Sequence, residues 1–435
     1  MSDALTTQAP AAASASPLAR VAPFGIWIAA AALLIALPLV LRSGTALTVM
    51  SLMGIAIVLA LSYNMLLGQT GMLSFGHSVY YGLGAYFTVH AMNAVIAAKL
   101  PIPLPLMPLI GGLAGLAFAM LFGWVSTKRS GTAFAMISLG LAELVGSSSL
   151  ILRSFFGGEE GVSTNRTKLL RLFDWSFGPQ IQVYYLIAAW CLICAALIYA
   201  LTRTPFGRMC NAVRENPQRV QFVGYSPQML RYIAFCLAGL FAGIAGGLVS
   251  INFELANSAL FSATQSGNVL LATFIGGARY FIGPILGAVL VVYLQTMLSD
   301  ITEVWQLYFG LMFVAAVMYA PGGLAGLILM HGPIWRARAL SRLLPGYALL
   351  VLPLALALGA AVMIIEMVTH LFVRASEGSV MTLAGLAYDI ATWRPWAAAL
   401  IALIAGAFLS RLAWRRVGAA WDVAQAVARQ KGLAL

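Results

Sequence analysis

Arg203-Thr-Arg-Thr-Pro-Phe-Gly-Arg-Met-Cys-Asn-Ala-Val-Arg-Glu-Asn-Pro-Gln-Arg-Val-Gln-Phe-Val-Gly-Tyr-Ser-Pro227 is a polar, basic island between two apolar runs, 182–202 and 230–251. Each run has the length, about 20 residues at about 1.5 Å of rise per residue, that carries a helix across a hydrocarbon core. The island therefore reads as a connection between two membrane spans. It carries its own punctuation. Thr204-Pro205, Asn216-Pro217 and Ser226-Pro227 each set a capping side chain before a proline suited to the first helical position, and Gly224 suits the left-handed residue that ends a helix. Two short helices are expected inside the island, followed by a new span. A plain basic loop is the alternative, but a rigid helix on the membrane surface suits a docking partner.

The apolar pattern repeats on both sides. Of the 435 residues, 61% are hydrophobic and 9% charged, and the mean hydropathy is +0.92, where a soluble domain is about half apolar. Lipid is the solvent for most of such a chain. Candidate helices fall at 24–41, 45–66, 76–97, 103–126, 131–153, 182–202, 230–251, 264–276, 282–299, 304–320, 346–370 and 395–413. Lipid demands that backbone groups pair within each segment, and no barrel-type alternation occurs. The expected class is all-α, a polytopic transmembrane bundle of about 10–12 spans.

With both termini on the cytoplasmic side, 17 of the 25 Lys and Arg residues fall on inner segments and the remaining 8 outside, as the positive-inside rule requires. Most acidic residues, among them Glu159, Glu160, Asp174, Glu254 and Glu377, fall outside. The net charge of +12 is dispersed between spans and forms no single stripe, which argues against nucleic acid as a partner. Residues 1–23, rich in Ala, Ser, Thr and Pro, read as a disordered cytoplasmic tail. A cleaved leader is disfavoured: the run from Phe24 to Leu41 is long for a leader core, has only Arg20 before it, and lacks a small-residue cleavage site after it.

Enzyme signatures are missing where they would matter. No Gly-Lys dipeptide exists to build a phosphate-cradling loop, no G-x-S-x-G elbow occurs, and His77, His90, His331 and His370 show no metal spacing. Cys191 and Cys194 sit one turn apart in an apolar run with no second pair, which suits packing better than zinc. No cofactor is expected in this chain, and ATP, if used, belongs to another polypeptide.

Polar residues within or beside the spans are the pathway candidates. Gly68, Gly71 and Gly76 surround Gln69 and Ser74, a glycine density that favours a broken or re-entrant segment lining a path; a tight interhelical turn is the other reading. Gly82 and Gly84 suit close helix packing. Asn64, Gln69, Ser74, His77, Tyr86 and Glu143 are the candidate path residues. A charge at the bilayer centre costs about 2.5–3.5 kcal/mol on insertion scales, so Glu143 is expected to face the bundle interior. His77 capping a loop and a hydrogen-bonded structural Glu143 remain open.

The segment from Gly207 to Gly224, followed by Arg231-Tyr-Ile-Ala-Phe235 and the Gly-rich Ala238–Leu248, resembles the coupling region of LivM-type permeases, subunits of branched-chain amino acid ABC importers. Leu61-Ser-Tyr-Asn-Met-Leu-Leu-Gly-Gln-Thr-Gly-Met-Leu-Ser-Phe-Gly-His77, Phe274-Ile-Gly-Gly-Ala-Arg-Tyr-Phe-Ile-Gly-Pro-Ile-Leu-Gly287 and Tyr319-Ala-Pro-Gly-Gly-Leu-Ala-Gly326 are similar to further blocks of that family, in the same order. The resemblance covers roughly 45–330 and implies an ABC importer permease fold over 24–330, with a coupling segment at 204–226.

It implies that Gly207, Arg208, Arg214, Glu215, Asn216 and Gly224 meet an ATPase. It further implies a second related permease, two cytoplasmic ATPase subunits that use ATP and Mg, a periplasmic solute-binding protein, alternating access, and a bacterial inner membrane. The acidic segment Gly157–Arg166 loosely matches the family's outer loop, where the binding protein would touch; a plain solvated loop is the favoured reading. Branched-chain amino acids or related polar or organic-acid solutes are the implied cargo. Pro217-Gln-Arg-Val220 stands where the family favours acidic and alanine residues, and 331–435 adds a basic segment and two spans beyond the plain subunit. A secondary transporter or channel working without an ATPase is the first rival; several buried ionisable pairs would favour it, and only Glu143 stands out. A membrane-embedded enzyme would need a catalytic cluster at one membrane face.

Overall fold

The computed structural model describes residues 17–171, 175–374, 378–383 and 385–431. The expected tail up to residue 16, and the acids Asp174 and Glu377, lie outside the described residues. The chain is helical almost throughout: α1 Pro17–Val40, α2 Gly44–Asn64, α3 Ser78–Ala98, α4 Met107–Ser126, α5 Thr132–Ile151, the one-turn α6 Arg153–Phe156, and α7 Gln180–Arg203. There follow α8 Pro205–Glu215, α9 Pro217–Phe222, α10 Pro227–Phe253, α11 Ala263–Gly276, α12 Ile282–Ile301, α13 Trp305–Tyr319, α14 Gly323–Arg336, α15 Leu344–Phe372 and α16 Trp393–Gln430.

Among the described residues, eight helices are long and apolar enough to cross a membrane, nine when the α13–α14 pair, bent by 41°, is counted as one span. The twelve apolar runs of the sequence are reached by adding α1, α3 and the 14-residue α11. Two of them differ from the long spans in evident ways: α11 is short, and α3 carries a run of buried tyrosines and hydroxyls. Two differences concern boundaries. Pro17–Ala19 and the residues up to Pro23, expected within the tail, open α1, and α16 continues to Gln430 beyond the expected end at 413 because its second half stays in the helical register with a polar outer face.

The bundle is organised around α10, which is buried along most of its length between α2, α3 and α4. Lipid gives helices no hydrophobic reason to associate, so close packing has to come from small residues. A Cβ built on Gly115 would lie 2.9 Å from Gly243 Cα, one built on Gly84 would lie 2.5 Å from the same atom, and Gly111 also abuts Gly243. These contacts draw α3 and α4 onto one stripe of α10. Gly82 and Gly84 do pack closely, Gly82 beneath the Phe261 ring. At one end of the bundle the two-residue strands β1 Val162–Ser163 and β2 Leu255–Ala256 pair antiparallel. The opposite end carries α8 and α9.

The chain divides into two compact units: 1–302 with 309–325, and 303–308 with 326–435, close to the expected extension at 331–435. The second unit is an α15–α16 pair joined through the hairpin of β3 Val380–Leu383 and β4 Leu386–Asp389. Gly406 lets α16 approach the backbone of α15 at Pro353 and Ala357. Its core near Ile334, Leu343 and Ala424 includes His331, which hydrogen-bonds the Tyr347 hydroxyl at 2.8 Å.

Replacing Gly243 with Leu is expected to abolish the monodisperse folded peak of detergent-solubilised protein on size-exclusion chromatography. Gly310→Leu, whose added Cβ meets nothing within 4 Å, should leave that peak intact.

Candidate functional site

The polar island folds as its punctuation demands. Thr204 Oγ1 accepts from Gly207 N at 3.3 Å, Asn216 Oδ1 from Arg219 N at 3.0 Å and Ser226 Oγ from Met229 N at 3.4 Å, each ahead of a proline in the first turn of α8, α9 or α10. Gly224 takes φ +89° between α9 and α10. On α8, Gly207, Cys210 and Val213 share the buried face, and Val213 joins Val220 of α9 and Leu230 of α10 in a small core. Burial pushes the Cys210 thiol up to about 12, so it stays protonated and inert at neutral pH. Gly207 lies against the Leu201 carbonyl at the end of α7, where no larger residue fits.

The outward side presents Arg208, Glu215 and Asn216, all exposed, together with Gly224. It also presents an apolar group that the residue pattern gave no reason to single out: Phe222 is 91% exposed, and Val223 and Tyr225 stand beside it in sequence, both more than half exposed. The available signal was an aromatic residue in a polar island with no apolar partner at helical spacing. Arg214 differs from its expected neighbours. It turns inward and donates from Nη1 to the carbonyl of Gly68.

Gly68 belongs to a π-helical turn, Met65–Thr70, that terminates α2. The wider i→i+5 pattern loosens the backbone, and such turns recur at functional positions. Gly71 closes the turn at φ +71°, with Arg214 Cγ 3.0 Å from where its Cβ would stand. Gly68 is wedged between the Asn64 side chain and the Ala278 carbonyl, so α8, α2 and the α11–α12 connection meet at this residue.

The path candidates near this break lie in the interior of the bundle. Asn64, Gln69, Ser74, His77 and Tyr86 are all buried in the chain's own packing. His77 Nε2 lies 2.8 Å from Ser62 Oγ, its ring sits edge-on to Tyr63, and Tyr86 stacks on Phe261 with centroids 5.6 Å apart. Ser78 and Ser266 hydroxyls join α3 to α11 at 2.7 Å. His77 precedes α3 without making a side-chain cap bond, so the loop-cap reading does not describe it. Glu143 corrects an expectation: it sits on the exposed face of α5, in the stripe with Ala133, Met136, Gly140 and Ser147, and not toward its own bundle. Insertion cost forbids a charge against bare lipid but says nothing about which protein surface relieves it.

The segment Gly157–Arg166 is a structural joint. Arg166 donates from Nε to Phe177 O at 2.8 Å, from Nη1 to Ile251 O and Asn252 O at 3.0 and 2.9 Å, and from Nη2 to Gly178 O at 3.2 Å. It thereby caps the last carbonyls of α10, where a cation is favoured. Burial lowers the pKa of the guanidinium, and Glu254, whose Oε1 lies 3.7 Å from Nε, raises it again. Arg166→Ala should cost about 2–3 kcal/mol, seen as a lower melting temperature in detergent, because charge-assisted bonds to buried carbonyls are lost. Arg166→Lys should restore only part of it, a compact ammonium being unable to serve separate strands of chain.

A family model described as "Branched-chain amino acid transport system / permease component" matches residues 45–320. The high-affinity branched-chain amino acid transport system permease protein LivM of Escherichia coli K12 is 28% identical over 318 residues, 68% of this chain and 73% of the relative. The LivM protein of Salmonella typhimurium is 28% identical over 291 residues, covering 62% and 67% of the two chains. The guanosine ABC transporter permease protein NupQ of Bacillus subtilis is 30% identical over 112 residues, 25% of this chain and 34% of its own. No solved structure matches.

Proposed function

Because this chain belongs to the permease-component family of the branched-chain amino acid transport systems, we propose that it forms one half of the translocation path of an ATP-driven importer and is driven through α8. It is a transport subunit and not an enzyme. The cargo proposed is a branched-chain amino acid or a related small polar solute, the class named for its LivM relatives. Two ATPase subunits using ATP and Mg, a second permease related to this one and a solute-binding protein complete the assembly, which would sit in a bacterial inner membrane with both termini cytoplasmic.

One observation carries this reading: α8 is capped and rigid, exposes Arg208 and Glu215 on one side, and on the other is tied by Arg214 to the carbonyl of Gly68 in the π-helical turn. A force applied to the exposed side reaches the end of α2 through the Arg214 guanidinium. Phe222 supplies the kind of anchor that dominates interface energetics, an aromatic side chain ready to be desolvated in a partner's pocket. The second permease is placed on the exposed stripe of α5, where Gly140 allows close approach and Glu143 would exchange lipid for a polar neighbour or for water in the path.

The test is leucine uptake by proteoliposomes containing this chain, its candidate permease and ATPase partners, and the binding protein. Phe222→Ser is expected to lower ATPase co-purification at least about tenfold, the scale of a lost hot-spot residue. Arg214→Gln is expected to preserve assembly while cutting uptake, leaving ATP hydrolysis uncoupled, and Glu215→Arg should abolish ATP-dependent uptake with assembly intact. Uptake that proceeds without any ATPase would establish a secondary transporter or channel and sink the importer reading.

A further inference from the structure

A cavity of about 420 Å³ opens among α2, α10, α11 and α12, away from the π-helical turn and from the exposed face of α5. Its floor is apolar, with Ile55 and Leu59 of α2, Val269 of α11 and Val291 of α12. Its wall is not. Gln265 and Asn268, three residues apart on α11, and Gln295 with Thr296 on α12 all face into it. The sequence signal was present in the spacing of these amides on two apolar helices, but helices of the same period also bury amides against neighbours, and only the packing separates the cases.

The three carboxamides are partly buried, and among the described residues their side chains make no hydrogen bond to the protein. A free amide within a membrane-embedded bundle is expensive, and irregular or unpaired polar groups are tolerated there only beside water or a polar ligand. A lipid tail filling the same space would leave all three amides unpaired. The cavity has the volume of a small-molecule site and its composition, an apolar body with a few convergent polar groups.

We infer that Gln265, Asn268 and Gln295 form a solute-binding station within this single subunit, selective for net-neutral molecules that pair hydrogen-bonding groups with an apolar body. Each carboxamide offers two donors and an acceptor, so together they satisfy both an ammonium and a carboxylate of a zwitterion. The cavity lining contains no Lys, Arg, His, Asp or Glu, so nothing there compensates a solute that carries net charge. This inference rests on the permease reading, because it treats the cavity as part of the path.

The assembled transporter tests it with leucine as the probe. Asn268→Cys and Gln295→Cys should react with a membrane-impermeant methanethiosulfonate sulfonate reagent and be protected by leucine. Cys191, Cys194, Cys210 and Cys236 are all buried and give little background. Asn268→Leu and Gln295→Leu should each reduce leucine uptake at least about tenfold, the loss expected of one well-placed hydrogen bond. Subunit stoichiometry on size-exclusion chromatography should be unchanged, and Asn268→Gln should recover part of the activity. Cysteines that do not react would mean a lipid-filled groove and overturn the inference. Reactive cysteines with normal uptake in both leucine variants overturn it equally, leaving a water pocket off the path. A wild-type assembly that takes up no leucine with ATP fails the importer reading instead, and cysteine reactivity then still decides whether the cavity is wet.

Discussion

A backbone carbonyl released inside a lipid-embedded bundle must find its donor within the protein. That constraint organises both ends of this chain. Where α2 loosens into its π-helical turn, the Arg214 guanidinium supplies the donor to Gly68; where α10 runs out, Arg166 supplies it to Ile251 and Asn252. In each case a long, charged side chain from a neighbouring segment reaches across to supply a further donor at the end of a helix. The irregular backbone is therefore held in place by a specific partner, and the two partners differ in what they connect. Arg166 joins loops to the end of a core helix and makes that end stiff. Arg214 joins a helix with an exposed face to the core, so the same physics yields a transmission element.

Packing explains why motion at α8 would be felt. The second half of α2, from Val58 through Asn64, is buried without interruption and touches α7, α10, α11 and α12. A helix so enclosed cannot tilt alone. The glycine stripe on α10 makes the opposite contribution: backbone against backbone, with little side chain to yield, fixes α3 and α4 on that core. The bundle thus has a rigid half around α10, while the space among α2, α11 and α12 is incompletely filled.

Hydropathy and capping chemistry made the helices and the two short elements of the polar island readable in the sequence, because each depends on local residue order. Side-chain direction was less accessible. Thr204, Asn216 and Ser226 each act on the residue three positions on, whereas the partner of Arg214 is 146 residues distant and no local rule points to it. Asn64, Ser74 and His77 were singled out as polar groups in apolar surroundings. That description fits a residue lining a path and a residue packed against hydroxyls and aromatic rings equally well, and His77, with Nε2 on Ser62 Oγ and Nδ1 unpartnered among the described residues, has features of both. Glu143 lies on the exposed face of α5, a direction that the cost of a charge in lipid does not fix from one chain alone.

The last helix carries a measuring device. Trp393 and Trp414 are both strongly exposed, 75% and 64%, near the start and middle of α16, with Arg411, Arg415 and Arg416 exposed around the second. Twenty-one residues separate the two indoles, about 31 Å of helix. Indole rings settle at the headgroup level, and the hydrocarbon between two such levels is about 30 Å thick. The extension therefore matches one bilayer thickness without tilting, and a thinner membrane would have to deform around it or lean it over. The indole spacing on α16 is thus commensurate with a bilayer of ordinary thickness.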